Sequence, residues 1–354
     1  MSLLALASIS SSYVFDVSAL IKESASNLKG IYSPSSPFIS HYHSPVATPG
    51  SSSNSVEANS TNKVVMINFD DGYKSQFLYA KPILDRYGFK ASFFIVCGKV
   101  ATKPYWMNWQ EISALKNDGM DIESHTMTHA HLPDLLSSPG RLNYEIGESK
   151  QCLASHGFNT TIFGYPLNLG SDNPTIVNIV AKYYDFGRSG TDHVMFLNCD
   201  GYMKYPQADC RTYSPNGTLT HANRYDIRAA GFYHFENNHN YSPPEMFQVF
   251  LQIINAQIHS NSNGSINAIP IIVYHNLTTS LQDYSLVSHA SSTTVDLFAQ
   301  EMKYLHDNGY RVLLLNQLGF DPIHNVFYIK NSAPPPPIYA TTNAPQIPQP
   351  LFWK

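Results

Sequence analysis

From Lys63 to about residue 320 the chain alternates two periodicities. Short runs of β-branched, aliphatic or aromatic residues are separated by amphipathic stretches of helical length. That alternation is the pattern of repeated strand–helix units around a parallel sheet. The apolar runs predict strands at Val64–Phe69, Ala91–Val96, Met120–Glu123, Thr161–Tyr165, Tyr184–Gly187, Gly231–Phe235, Ala268–Tyr274 and Arg311–Leu315. The stretches between them predict helices at Ser75–Tyr87, Trp109–Asp118, Arg141–His156, Asn173–Tyr183, Pro244–His259 and Val295–Asn308. About eight strands and six or seven helices in roughly 260 residues fit an α/β fold, a distorted, TIM-like (β/α) barrel of about seven or eight parallel strands.

The pattern fails at both ends. Residues 33–61 are mostly Ser, Pro, Asn and small residues without apolar periodicity, too polar to offset the entropy of ordering, and read as a linker. Pro334–Pro337, followed by Pro345, Pro348 and Pro350, mark an extended tail. The expected organisation is an N-terminal segment and linker over 1–62, one catalytic domain over 63–322 and a Pro-rich tail over 323–354. No apolar stretch reaches the roughly 18 residues of a spanning helix, so a membrane span is not expected.

Composition narrows the partners. A net charge of -4 and 14% charged residues leave no basic field for a polyanion, and nucleic acid is excluded as an expected partner. Aromatic residues make up 13% of the chain; such rings fill cores and also stack on sugar faces, and ordinary packing accounts for most of them. Cys97, Cys152, Cys199 and Cys210 lack the paired spacing of a cysteine metal site. Cys199 and Cys210 flank a polar segment and could close a short disulfide loop in an oxidising compartment. Met1–Ser12 carries a short apolar run without a basic flank, at best a degenerate or truncated signal peptide. Sequons at Asn59, Asn159, Asn216, Asn263 and Asn276 lean weakly towards an extracellular or cell-surface location.

Polar residues recur where the apolar runs end. Asp70-Asp71-Gly72 closes the first run. Two adjacent carboxylates repel, so a cation or a division of labour is expected of them, although a solvated turn is the plainer explanation of the pair taken alone. His125 and His129 follow the third run, and their i,i+4 spacing would put both imidazoles on one face of a helical turn. His131 would point away from that face and is left out. Tyr165-Pro166, Gly187-Arg188-Ser189 and Tyr274-His275-Asn276 end three further runs. A single His in such a place is more often a core residue. In a parallel barrel, however, all these ends meet on one face.

These residues resemble the polysaccharide deacetylase family, the family 4 carbohydrate esterases. Phe69-Asp70-Asp71-Gly72 matches the family's first motif, and His125 through Leu132 its His-(Ser/Thr)-x-x-His-x-x-Leu motif, with Trp109, Leu115 and Gly119 placed as in family members. The resemblance spans about residues 63–320. It implies a divalent metal held by Asp71, His125 and His129, with Zn the expected ion and Co or Ni able to serve. It implies Asp70 as catalytic base and, from Ile269–His275, His275 as general acid. The family's third motif often reads Arg-x-Pro-Tyr; here Gly164-Tyr165-Pro166-Leu167 stands in its place without the Arg, and Arg188 is the candidate replacement. Tyr165, Pro166 and Leu167 are then expected at the substrate, with a main-chain N–H near Leu167 serving the oxyanion. The Asp-Trp pair of the fourth motif is absent, leaving Asp192 as a weak candidate partner for His275. The implied substrate is an acetylated glycan, by family default one containing N-acetylglucosamine. An O-acetyl esterase, another amidohydrolase or a non-catalytic carbohydrate-binding relative remain alternatives. The polar segment Thr191–Ala230 is expected to overhang the site and shape substrate choice.

Overall fold

The structure, a computed structural model, describes residues 62–190, 194–197, 224–236, 239–262, 264–285, 291–322 and 326–330. The first strand, β1 (Val64–Phe69), shows how the barrel is built. Val65, Ile67 and Phe69 pack outward into the cluster beneath the helices, while Val64 and Met66 point into the barrel, so both faces of the strand are buried. β2 (Ser92–Ile95), β3 (Asp121–Ser124), β4 (Ile162–Gly164) and β5 (Phe186–Arg188) follow in parallel order from β1.

The ring closes through a short segment. Ile227 bridges in parallel to Arg188 on β5; three residues later Ala230–Gly231 pairs with the strand Ala268–Tyr274, which returns to β1. These segments make a ring of seven parallel strands. An eighth, Arg311–Leu313, pairs with the lower end of β1 on the β2 side, at Val64–Met66. Val194–Phe196 adds an antiparallel edge to Ala268–Pro270. The barrel expectation therefore holds. The expected strand Gly231–Phe235 is divided, with Ala230–Gly231 in the barrel and Phe235–Glu236 in a separate ladder with His239–Asn240.

Helices start where side chains satisfy their first N–H groups. Asn108 and Glu111 form a capping box on Trp109–Asn117, Asn173 caps Pro174–Tyr183, and Thr294 caps Val295–Asp307. The last of these buries Leu297, Phe298, Met302 and Leu305, each contributing about 1.5–3 kcal/mol. Two expected helices are not regular. Ser75–Tyr87 begins with a wide π turn at Gln76–Ala80, and Arg141–His156 contains another at Tyr144–Glu148. Each places a buried polar side chain, Gln76 or Glu145, against the loops at the barrel mouth.

At the chain's far end Leu318–Asp321 and Val326–Ile329 form an antiparallel hairpin whose Leu318, Phe327 and Ile329 join the barrel interior. The described structure thus continues through this hairpin to Lys330. Cys97, after β2, is disulfide-bonded to Cys152 on the helix Ser149–Ser155, a pairing the spacing did not suggest. Cys199, Cys210, Asp192 and most of Thr191–Ala230 lie outside the described residues.

Candidate active site

Because the ring strands are parallel, the residues after each of them meet at one mouth. Asp70 continues β1, and its N–H donates to the Tyr274 carbonyl at 2.9 Å. The next two residues are left-handed, Asp71 at φ 74° and Gly72 at φ 84°, a sharp reversal that Asp tolerates and Gly favours. This turn separates the two carboxylates. Asp70 Oδ1 accepts from Arg188 Nη2 at 2.5 Å and its Oδ2 lies 3.7 Å from His125 Nε2, whereas Asp71 Oδ1 lies 3.3 Å from His129 Nε2 and 3.9 Å from His125 Nε2.

Arg188 is fully buried at the end of β5, its guanidinium 4.3 Å from the centre of the Phe94 ring. Gly164 on β4 makes room for it: a Cβ there would come within 2.9 Å of both Arg188 Nη2 and His125 Nδ1. The Gly164 carbonyl also accepts from His125 Nδ1 at 2.9 Å. With the proton on Nδ1, the Nε2 lone pair faces the carboxylates.

His125 and His129 converge, but not through a helical turn. The segment is an irregular loop in which Thr126 and His129 take left-handed φ values of 69° and 66°. Glu145 braces it from the π turn, accepting from Thr128 N at 2.8 Å and Thr128 Oγ1 at 2.7 Å. On the other side Cys97 N and Gly98 N donate to the carbonyls of Thr126 and Met127. The two histidines come together as the i,i+4 spacing suggested, but on a loop and not on a helical turn. His131 stands apart, its Nδ1 3.0 Å from Asp134 Oδ1.

The electrostatics suit a cation. Burial pushes the His129 imidazole down to about 4 and lowers that of His125, so both are neutral donors near pH 7. Burial also pushes the Asp71 carboxyl up, but His129, His275, His125 and Lys99 outweigh it, and the group sits below its ordinary value. Asp71 Oδ1 is buried without a hydrogen bond. The ligand atoms of Asp71, His125 and His129 all lie within 4.8 Å of one another, and one carboxylate with two imidazoles is a donor set that fits a divalent transition ion.

His275 follows the strand Ala268–Tyr274 and is 9% exposed, with its Nδ1 buried and unpaired among the described residues. Its link to Asp70 is Gln76, a residue sequence reasoning missed. The fully buried Gln76 Nε2 donates to the Asp70 carbonyl at 2.5 Å and to the His275 carbonyl at 3.0 Å, tying together the ends of two strands. Only a polar residue on the buried side of an otherwise apolar helix could have signalled it, and Glu145 carries the same mark.

The third-motif stretch is only partly at the surface. Strand alternation sends Phe163 and Tyr165 outward under the helices, where Tyr165 is fully buried with its ring edge-on to Phe163 at 5.2 Å. The Tyr165 side chain therefore points away from the mouth. Pro166 is buried as well, and Leu167, 46% exposed with φ 56°, is the member of the trio that reaches the mouth's surface.

Residues 57–184 match the family model described as polysaccharide deacetylase. This region is similar to the polysaccharide deacetylase family. The deacetylase match includes Asp70, Asp71, His125 and His129 and ends before Arg188 and His275. YxkH of Bacillus subtilis (strain 168) is 36% identical over 107 residues, covering 30% of this chain and 37% of that relative. Among solved structures, the Streptococcus pyogenes deacetylase PplD in complex with acetate is 27% identical with a TM-score of 0.34, covering 36% of this chain and 57% of that one. The family 4 carbohydrate esterase from Streptomyces lividans, also in complex with acetate, is 15% identical with a TM-score of 0.44, covering 76% of this chain and 99% of that one. No helix among the described residues is long and apolar enough to cross a membrane.

Proposed function

We propose that this chain is a metal-dependent hydrolase that removes N-acetyl groups from a polysaccharide containing N-acetylglucosamine. The observation that carries the reading is the convergence of Asp71, His125 and His129 on one point, beside a second carboxylate, Asp70, whose Oδ1 is held by Arg188. Asp71, His125 and His129 would hold the ion, Zn by preference with Co or Ni able to serve. When bound, such an ion supplies Lewis acidity, which lowers the pKa of water and polarises an acyl carbonyl.

The chain's own residues supply the proton transfers. Asp70, kept oriented by the buried Arg188, accepts the proton released as water attacks the acetyl carbon. The Leu167 N–H, at the exposed part of the third-motif stretch, is the proposed main-chain donor to the carbonyl oxygen. His275 gives a proton to the departing nitrogen as the C–N bond breaks, leaving acetate and a free amine on the sugar. Gln76 keeps base and acid at a fixed separation through their carbonyls.

The Cys97–Cys152 disulfide supports an extracellular or cell-surface location. Acetate release should be measured on chitin oligomers, β-1,6-linked N-acetylglucosamine oligomers, peptidoglycan and acetylated xylan, after chelation and after adding back Zn, Co or Ni. Metal-dependent release from N-acetylglucosamine substrates is expected. Release from xylan alone would make the protein an esterase, and metal-independent release would remove the proposed chemistry.

A further inference from the structure

The wall of the mouth between the Asp71 turn and the His125–His129 loop is formed by residues 97–107. Cys97 N and Gly98 N donate to Thr126 O and Met127 O, and Gly98 approaches so closely that a Cβ there would meet Met127 O at 2.6 Å. At its other end Met107 N donates to Gly72 O, and Lys74 N to Tyr105 O. The Cys97–Cys152 disulfide anchors the base of this wall. It is a fixed part of the site, zipped to both loops that carry the proposed ligands.

Lys99 stands in this wall. Its side chain is half-buried, and its ammonium lies 4.7 Å from the centre of the Trp106 ring, whose other neighbours are Tyr73 and Tyr105. Among the described residues the ammonium makes no hydrogen bond or salt bridge, and Asp71 is the one acidic group whose charge acts on it. Burying an ammonium without a counter-ion is costly. Asp71 does not balance this charge in the working site, since it belongs to the donor set that faces a cation. Tyr105, whose ring centre lies 5.0 Å from that of Trp106, is 56% exposed and offers an aromatic surface on the same wall.

We infer that Lys99 and Tyr105 form a subsite for a sugar bearing a carboxylate, next to the acetylated residue. The ammonium pairs with the carboxylate, Trp106 holds the lysine stem in place, and Tyr105 receives the apolar face of the ring. The preferred substrate is then an acidic glycan over a neutral one. This inference rests on the proposed deacetylase reading and names its substrate class.

The test compares Lys99→Met, which keeps the stem over Trp106, with the unchanged enzyme on length-matched oligomers. One is neutral chitin; one alternates N-acetylglucosamine with glucuronate; one alternates it with a lactyl-ether-bearing sugar. On whichever acidic oligomer is used, Lys99→Met should raise KM about tenfold more than it does on chitin. The unchanged enzyme's KM on that oligomer should also rise with salt, while that on chitin should not. An equal loss on chitin and on acidic oligomers would overturn the subsite and make Lys99 a charge acting on the ligand residues; no loss on either would overturn it outright. If no oligomer releases acetate, the deacetylase reading fails by itself. Calorimetric binding of the acidic oligomers to both proteins then still decides the role of Lys99, and equal affinities would reject it.

Discussion

The proposed metal triad and the proposed acid–base pair share one barrel mouth, yet they are assembled in different ways. Asp71, His125 and His129 come from two loops after β1 and β3, braced by neighbouring backbone and by Glu145. Asp70 and His275 depend on partners far away in sequence: Arg188 reaches Asp70 across 118 positions, and Gln76 reaches the His275 carbonyl across 199. The triad is a local construction that two short motifs can specify. The acid–base side exists only when the ring of strands has closed.

That contrast can be broken by experiment. The largest expected effect is on turnover: Asp70→Asn and His275→Ala should each lose about 100-fold to 10,000-fold in kcat, as loss of a positioned acid or base does. Acetate release at saturating substrate measures it, and near-normal turnover by His275→Ala would return that residue to a packing role. Next comes Arg188→Met, which leaves Asp70 buried without its partner and should cost about 3–5 kcal/mol in urea unfolding. A cost below about 1 kcal/mol would mean that Arg188 does not hold Asp70 in solution. Gly164→Ala should cost about 1–3 kcal/mol, because the new methyl group meets Phe94, Arg188 and His125 at once. It touches both halves of the site, so metal affinity and turnover should fall together; a loss of one alone would show that the halves are independent.

The smallest effect lies away from the mouth. Glu301 is fully buried with Tyr274 Oη donating to its Oε2 at 2.8 Å, and burial holds its carboxyl well above the usual range. The folded chain therefore binds a proton that the unfolded chain has released, and stability falls as pH rises from the ordinary carboxylate value through the raised one. Glu301→Gln keeps an acceptor for Tyr274 without the charge. Thermal melts at pH 5 and pH 8 should show a smaller drop for the variant than for the unchanged protein, and parallel drops would contradict the assignment.

How much was legible in the sequence follows the same division. β1 and Ala268–Tyr274 were readable to the residue, because long apolar runs buried on both faces admit few other structures. Asp71, His125 and His129 were readable as a set by family resemblance, although the helical turn assumed for the histidines is a loop with two left-handed residues. Tyr165 was misplaced because a one-residue step along a strand changes the face. Gln76, Glu145 and the Cys97–Cys152 bridge were not legible, since each depends on which distant segments a closed barrel brings together. The hairpin at Val326–Ile329 was missed because its length and its neighbouring prolines resemble a tail, while its buried Phe327 and Ile329 belong to the core.

The central claim is that the two carboxylates of Asp70-Asp71 have separate duties, one towards a proton and one towards a metal. Its most direct test is the metal content of five purified variants, measured by elemental analysis after loading with Zn and desalting. Asp71→Ala, His125→Ala and His129→Ala should each lose most of the bound ion, since a site with three protein ligands tolerates the loss of none. Asp70→Asn and His275→Ala should retain it at the level of the unchanged protein. Full metal in the first three variants, or loss of metal in Asp70→Asn equal to that in Asp71→Ala, would contradict the account.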